Sequence, residues 1–301
     1  MKSATEVTFH PQNRHQGSYD FEKLAASHPP LRAFLISKPE EGYLINFADP
    51  AAVLALNTAI LSHDYRIRNW SIPDGYLCPP VPGRADYLHH LRDLLDKASG
   101  AHEKPVRVMD IGTGAGAIYA LLGASLFGWT MVASDIDTEA LEDSRSILKQ
   151  NPSLEPCVEL RLQENPEQIL RGIIQDDECF DACLCNPPFF ESEASADLAN
   201  TKKQEKHRKL GIPYSQDERT FAGRPNERYC EGGERGFIER LVAEGIDYKH
   251  RFRWFTTLVS REGTLEFIRQ KLKAAGVSEQ KVIPMRHGNK FSRILAWSYG
   301  S

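Results

Sequence analysis

The sequence predicts an α/β protein, with a mainly parallel sheet, helices on both of its faces, and a helical N-terminal extension. Three observations carry that expectation. From Val106 onward, short apolar runs alternate with amphipathic stretches, the rhythm of strands and crossover helices. A glycine-rich turn, Asp110-Ile111-Gly112-Thr113-Gly114-Ala115-Gly116, follows the first apolar run and opens the first of those helices. Before about residue 100 the alternation is absent and helical spacing prevails. A chain of 301 residues, 41% hydrophobic and 26% charged, accommodates one such domain over 101–301 and an extension over 1–100.

Within the extension, Tyr19 to Ser27 reads as a short helix. Asp49 before Pro50 is an N-cap followed by proline at the first helical position, and Val53, Leu56 and Ile60 recur on one face to about His63. Trp70 to Arg84 holds four prolines and two glycines and is expected to be a rigid, irregular loop; its Trp70, Tyr76 and Leu77 mark it as more than a linker. Ala85 to Ser99 then forms a helix, with Leu88, Leu91, Leu94 and Leu95 on one face and Gly100 as its stop.

In the main domain the expected strands are 106–111, 129–134, 158–162, 180–185 and 253–259. The expected helices are 116–125, 137–150, 166–174, 233–247 and 263–275, and 281–284 with 292–299 closes the chain as a hairpin. Ile111 to Ser134 contains no charged residue and is long enough to span a bilayer, but its five glycines divide it into turn, helix, turn and buried strand, so no membrane span is expected. Phe190 to Tyr229 breaks the alternation. Irregular segments of that length are commonly functional, and Lys202 to Lys209 within it carries five basic residues against one acidic, making 190–230 a basic insertion.

The chemistry is concentrated in Asn186-Pro187-Pro188-Phe189, at the end of the apolar run Phe180 to Cys185. Two prolines hold φ near about −65° and remove two backbone donors, leaving a stiff turn with free carbonyls. The Asn186 side-chain oxygen and the Pro187 carbonyl can each accept one N–H of an exocyclic amino group, aiming its lone pair at an electrophile, while the Phe189 ring offers a stacking face. The plain alternative is a Pro-Pro turn that ends a buried strand. Gly112, Gly114 and Ala117 fit the dinucleotide fingerprint, with Asp135 placed about 20 residues on, where a ribose-binding carboxylate belongs. NAD and S-adenosylmethionine both present that ribose, so the glycine turn alone leaves a dehydrogenase open. A hydride-transfer enzyme has no need of Asn-Pro-Pro-Phe, and the two motifs together favour methyl transfer to an amino nitrogen.

Six cysteines, at 78, 157, 179, 183, 185 and 230, form no C-x-x-C pair, and the ten histidines show no i, i+4 ligand pair with a third partner. No metal is expected. Buried thiols in a reducing cytoplasm account for the cysteines, and Met1 to Glu6 lacks the apolar core of a secretory signal, so a cytoplasmic protein is expected.

His10 to His15, Trp70 to Tyr87, Asp110 to Gly114, Asn186 to Phe190, Glu231 to Glu234 and Trp254 to Ser260 together closely resemble the RlmF family, bacterial methyltransferases that modify one adenine N6 of 23S large-subunit ribosomal RNA. The similarity covers essentially the whole chain, and the segment ending in Gly83-Arg84-Ala85-Asp86-Tyr87 is its most specific part. The chain is also similar to the catalytic domain of eukaryotic adenine N6-methyltransferases acting on spliceosomal RNA and messenger RNA hairpins. The resemblance implies a class I S-adenosylmethionine-dependent methyltransferase of Rossmann-like fold. It implies catalytic roles for Asn186, Pro187, Pro188 and Phe189. It sets the cofactor against Asp110, Gly112, Thr113, Gly114 and Asn186, with Asp135 at the ribose, Gln163 beside the adenine, and the planar fork of Arg84 on the methionine carboxylate.

A net charge of −4 does not exclude an RNA partner, because local charge governs phosphate contact. The candidate RNA contacts are Arg14 and His15, then Lys202, Lys203, Lys206 and Arg208, then Arg286, Lys290 and Arg293, and the extension is the expected RNA-binding module. The expected partner is 23S ribosomal RNA or a large-subunit assembly intermediate, met by a monomer. Two alternatives remain. A protein glutamine N5-methyltransferase would dock its amide in the same turn, and a catalytically silent RNA-binding assembly factor would retain the pocket.

Overall fold

Strands β3 (Arg107–Ile111), β4 (Thr130–Asp135), β5 (Val158–Leu162), β6 (Phe180–Cys185) and β7 (Phe252–Val259) run parallel, and β8 (Glu279–His287) and β9 (Lys290–Ser298) add an antiparallel hairpin to the β7 edge. The computed structural model describes residues 8–39, 42–97, 105–198, 201, 223–287 and 290–300. The sheet order is β5-β4-β3-β6-β7-β9-β8. Strand β3 has β4 on one side and β6 on the other, so the chain leaves β3 and β6 in opposite directions and opens a crevice at their C-terminal ends. Ile111 pairs with Cys185, which brings the glycine turn and Asn186 out of the sheet at one level.

The helices cover both faces: α4 (Ile118–Phe127), α5 (Thr138–Lys149), α6 (Gly233–Asp247) and α7 (Glu262–Ala274) follow β3, β4, the insertion and β7. The extension contributes α1 (Phe21–Ser27), α2 (Pro50–Tyr65) and α3 (Val81–Asp96). Asp49 caps α2 as expected, accepting the Ala51 N–H at 2.9 Å. Leu61, Tyr76 and Leu88 from the extension belong to the same buried cluster as Leu121, Met131 and Ala182 from the sheet layer.

Four expectations are corrected. Helix α3 starts at Val81 instead of Ala85, because proline in a first helical turn has no donor to lose; Pro82 is the opening of a helix and carries Arg84 onto its first turn. Residues 166–174 form turns, not a helix: the Glu244 carboxylate accepts the N–H groups of Ile169, Leu170 and Arg171 at 2.7 to 3.2 Å, and these donors converge on one anion instead of running up a ladder. A hairpin of β1 (Leu35–Lys38) and β2 (Gly42–Ile45) was not anticipated, since four-residue strands show too little alternation. The terminal hairpin is longer than 281–284 and 292–299. The expected end of α3 and the boundary near residue 100 lie outside the described residues. Among the described residues no helix is long and apolar enough to cross a membrane, and Ile111 to Ser134 divides into turn, helix and strand.

Glu244→Ala is expected to lower stability by about 2 kcal/mol, by leaving several backbone donors of the 169–171 turn without their shared acceptor. Denaturant titration measures this, and a loss below about 0.5 kcal/mol would mean that water replaces the carboxylate.

Candidate functional site

The turn after β3 adopts a conformation that its glycines permit, with φ of 74° at Gly112 and 66° at Gly114. Gly112 and Thr113 donate their N–H groups to the Ser134 carbonyl at 2.9 and 3.0 Å, and Gly114 donates to Asp135 Oδ2 at 2.8 Å. Asp135 Oδ1 accepts the Asp137 N–H at 3.0 Å, so the carboxylate is fixed at the foot of the turn; burial, its largest influence, pushes its carboxyl up. Gly116 has no room for a side chain, since a Cβ there would lie 2.6 Å from Ile72 Cδ1 and 3.0 Å from the Trp70 ring. Trp70 Nε1 donates to the Gly116 carbonyl at 2.9 Å, and the Tyr76 hydroxyl donates to Asp137 Oδ2 at 3.1 Å. The proline-rich segment is therefore a clamp on the glycine turn.

Asp110 is 1% exposed, and its Oδ1 is buried without a partner among the described residues, while Oδ2 accepts from the Thr113 hydroxyl at 2.8 Å. Desolvation pushes its carboxyl up to about 7; Asp135 adds to the rise, and the Thr113 bond and the Arg84 charge oppose it. Arg84 Nη1 donates to the Tyr119 hydroxyl at 3.1 Å, with the guanidinium carbon 5.2 Å from that ring's centre.

Arg84, Tyr119, the Gly112 to Gly116 turn and Asp135 border a cavity of about 670 Å³, which also takes in Gln163, Asn186 and Pro188, while Asp110 lies behind the turn and does not line it. That volume suits a nucleoside-sized ligand with room for an acceptor. Asn186 Oδ1 is buried on its wall without a hydrogen-bond partner among the described residues. An orphaned amide oxygen costs about 1–3 kcal/mol unless a ligand supplies the donor. A planar amino group approaching the end of β6 would do so.

The predicted residues do not all converge. Pro187 is buried and Phe189 half-buried, and neither lines the cavity; the Phe189 carbonyl accepts from Arg261 Nη2 at 3.4 Å. The aromatic walls are Tyr119, Tyr229 and Phe237, which lie far from the motif in sequence and carried no signal there. Gln163 lines the cavity, but its amide spans the loop after β5, donating to the Arg171 carbonyl at 2.9 Å and accepting the Asn165 N–H at 3.0 Å. Glu234, in the Glu231 to Glu234 stretch but given no role by the sequence, is 2% exposed, accepts the Ser260 N–H at 2.7 Å and ties the end of β7 to α6. Phe190 donates its N–H to the Arg228 carbonyl at 3.0 Å and accepts the Cys230 N–H at 3.1 Å, closing the insertion at its base.

Of the proposed RNA contacts, Arg14 is exposed, with Nη1 donating to the Asp64 carbonyl at 2.6 Å. His15 is corrected: it is 6% exposed and its Nε2 bonds the Tyr65 hydroxyl at 2.8 Å, a core role that removes it from the surface. Arg286 is exposed on β8, whereas Arg293 is ion-paired with Glu262 and stands 4.6 Å from the Phe291 ring centre. Lys202, Lys203, Lys206 and Arg208 lie outside the described residues, as does the Lys290 side chain. Among the described residues no three or more His, Cys, Asp or Glu side chains are grouped to hold a metal ion.

A family described as RNA methyltransferase matches residues 3–301. The chain is 47% identical over 298 residues to ribosomal RNA large subunit methyltransferase F of Shewanella amazonensis, covering 97% of this chain and 93% of that one. It is 44% identical over 301 residues to the protein of that name from Pseudomonas aeruginosa, covering 99% and 89%. Among solved structures, the human Mettl16 catalytic domain in complex with a MAT2A 3′UTR hairpin superposes with a TM-score of 0.82 at 28% identity, over 97% of this chain and 96% of that one. The N-terminal domain of human METTL16 in complex with SAH superposes with a TM-score of 0.75 at 26% identity, over 97% and 99%.

Asp110 leads to a pH expectation. A carboxyl raised in the folded state contributes stability that is full below its ordinary pKa near 3.8 and is lost as pH climbs through about 7. Asp110→Asn removes that loss, so the stability of the variant relative to the parent should rise between about pH 4 and 7, by up to about 1.4 kcal/mol per unit, and level off above. Parallel denaturation curves across that window would assign the titration elsewhere.

Proposed function

The chain belongs to the RNA methyltransferase family that spans residues 3–301, and on that premise we propose that it methylates the exocyclic N6 of one adenine in 23S large-subunit ribosomal RNA, using S-adenosylmethionine. The observation that carries the amino-group chemistry is the buried, unpartnered Asn186 Oδ1 on the wall of the cavity that holds the glycine turn.

The residues fit the cofactor. The left-handed glycines let the backbone approach it, Asp135 is a buried carboxylate for ribose hydroxyls, and Arg84 offers its fork to the methionine carboxylate from the same cavity wall. When bound, S-adenosylmethionine supplies an electrophilic methyl on sulfur. The remaining work is done by the protein. Adenine N6 is a poor nucleophile because its lone pair is delocalised into the ring. Asn186 Oδ1 accepts one of its N–H bonds, drawing density onto nitrogen and fixing its direction, so that catalysis is chiefly positioning. The Pro187 carbonyl serves as second acceptor. The base must leave its stack at a cost of a few kcal/mol, which contact with Tyr229 and Phe237 offsets in part, at about 1–3 kcal/mol per stacked ring. Those two rings line the cavity and are proposed as stacking faces in addition to Phe189, which is half-buried.

The relatives' names favour ribosomal RNA over a protein glutamine, whose amide would fit the same acceptor. A silent assembly factor fits less well, since the glycine turn, Asp135 and Asn186 all border one cavity. A ribosomal substrate is met in the cytoplasm. We assign the extension, with exposed Arg14, and the insertion bearing Lys202, Lys203, Lys206 and Arg208 to RNA capture, the latter on sequence charge alone. Arg286, Lys290 and Arg293 are a third, weaker patch.

Asn186→Ala should abolish methyl transfer in a single-turnover assay while cofactor affinity by calorimetry stays within a few-fold; Asp135→Ala should weaken cofactor affinity first. Wild-type turnover in Asn186→Ala would remove the amino-docking role. Neutralising Lys202, Lys203, Lys206 and Arg208 together should weaken RNA binding and flatten its salt dependence by about 0.7 for each single-strand phosphate that is no longer neutralised. An unchanged salt slope would leave the extension as the route of capture.

A further inference from the structure

Three glutamates that line the cavity, Glu167, Glu227 and Glu231, have no place in the cofactor assignment above, and Glu227 is the one that meets the glycine turn. Glu227 stands on the helical turn Pro225–Arg228, at the end of the insertion, and lines the cavity. Its Oε2 accepts the backbone N–H of Leu77 at 2.9 Å and that of Arg224 at 2.9 Å, joining the proline-rich clamp to the insertion. Oε1 makes no hydrogen bond among the described residues. A Cβ built on Gly114 would lie 3.3 Å from that oxygen, so Oε1 overhangs the glycine turn from the side of the insertion. Asp135 holds the same glycine from the other side through its bond to the Gly114 N–H at 2.8 Å. Burial raises the Glu227 carboxyl most, and the Asp135 and Asp137 charges raise it further. Carboxylates crowded around one turn repel each other, and a donor entering between them relieves the repulsion. The turn does not depend on Glu227 alone for its placement. Arg224 reaches Glu139 with Nη2 at 2.6 Å and Asp137 with Nη1 at 3.6 Å, and lies over the Tyr76 ring at 4.2 Å.

We propose that Glu227 is a cofactor-binding residue whose Oε1 accepts a hydrogen bond from a ribose hydroxyl or the α-ammonium group of the nucleoside held on the glycine turn. This rests on the cofactor assignment above. It makes the insertion part of the cofactor site as well as of the acceptor site, because the residue that meets the cofactor also anchors the segment ending at Tyr229, an aromatic wall of the cavity.

Titration calorimetry of S-adenosylhomocysteine and of 5′-methylthioadenosine, which lacks the amino-acid moiety, tests it on the full chain, Glu227→Gln and Arg224→Ala. Glutamine retains an oxygen for the Leu77 and Arg224 N–H groups but loses the charge. Its melting temperature should therefore hold while S-adenosylhomocysteine affinity falls about tenfold, in the range for a hydrogen bond to a charged group. A loss shared by both ligands assigns the contact to the ribose, and a loss confined to S-adenosylhomocysteine assigns it to the ammonium. Arg224→Ala loosens the turn without touching the acceptor and should change neither affinity more than about twofold. Glu227→Gln within twofold of the parent overturns the proposal, as does an equal loss in Arg224→Ala, which would reduce the effect to closure of the segment. Should Glu227→Gln fail to fold, Glu227→Asp, which withdraws the oxygen from the turn, is read by the same criteria. A parent chain that binds neither ligand overturns the cofactor assignment, and this proposal with it.

Discussion

Parallel pairing of β3 with β6, with Ile111 opposite Cys185, sets the distance between the two halves of the site, because each half is the first few residues beyond a strand end. A one-residue slip of that register would turn every side chain of β6 to the opposite face and withdraw Asn186 from the cavity. The burial of both strands on both faces opposes such a slip. Val108, Met109, Ala182, Cys183, Leu184 and Cys185 are each 0% exposed, so a slipped strand would have to be accommodated among already filled layers. Thr256 reinforces the alignment across the next strand, its hydroxyl donating to the Cys183 carbonyl at 2.7 Å while sharing a 2.8 Å bond with the Tyr87 hydroxyl of α3.

That last bond shows how the extension takes part in the site. Helix α3 brings Arg84 to the cavity and Tyr87 to the sheet, while Asp86 between them accepts the His10 N–H at 2.7 Å and the Asn13 amide at 3.0 Å. The first described residues are thereby tied to the helix that carries a proposed cofactor contact. Trp70 and Ile72 close over Gly116 from the same side. The extension and the glycine turn thus share one buried cluster, through Trp70, Ile72, Ala115 and Ala117.

The two ends of the sheet differ in how they treat buried charge. Near the N-terminal ends of β3 and β6, Glu178 is matched by Arg107 and, at 2.7 Å, by Arg161 reaching from β5, and the Arg161 hydrogen bond chiefly holds its carboxyl down to about 2. At the C-terminal ends, Asp110, Asp135 and Glu227 are raised by burial, with no matching guanidinium bond among the described residues. Satisfied charge braces one end of the sheet, while unsatisfied charge is concentrated at the other, where a ligand can complete it.

Local chemistry determined the elements that depend on near neighbours. The alternation of apolar runs identified the five parallel strands, Asp49-Pro50 marked the start of α2, and the glycine turn and Asn186-Pro187-Pro188 stood out as turns because backbone freedom and stiffness are properties of the residues themselves. Tertiary structure alone decided whatever depends on what packs against what. Proline at the head of α3 reads as a loop until its missing donor is seen to cost nothing there. Residues 166–174 have helical spacing, yet Glu244 from a distant helix gathers their N–H groups into a turn. His15 looks like a surface cation beside Arg14 until Tyr65 buries it, and Tyr229 and Phe237, which no motif marks, line the cavity. Apart from the α3 proline, whose effect is local, the deciding partner lies tens of residues away, and single-sequence patterns record spacing along the chain, not proximity across it.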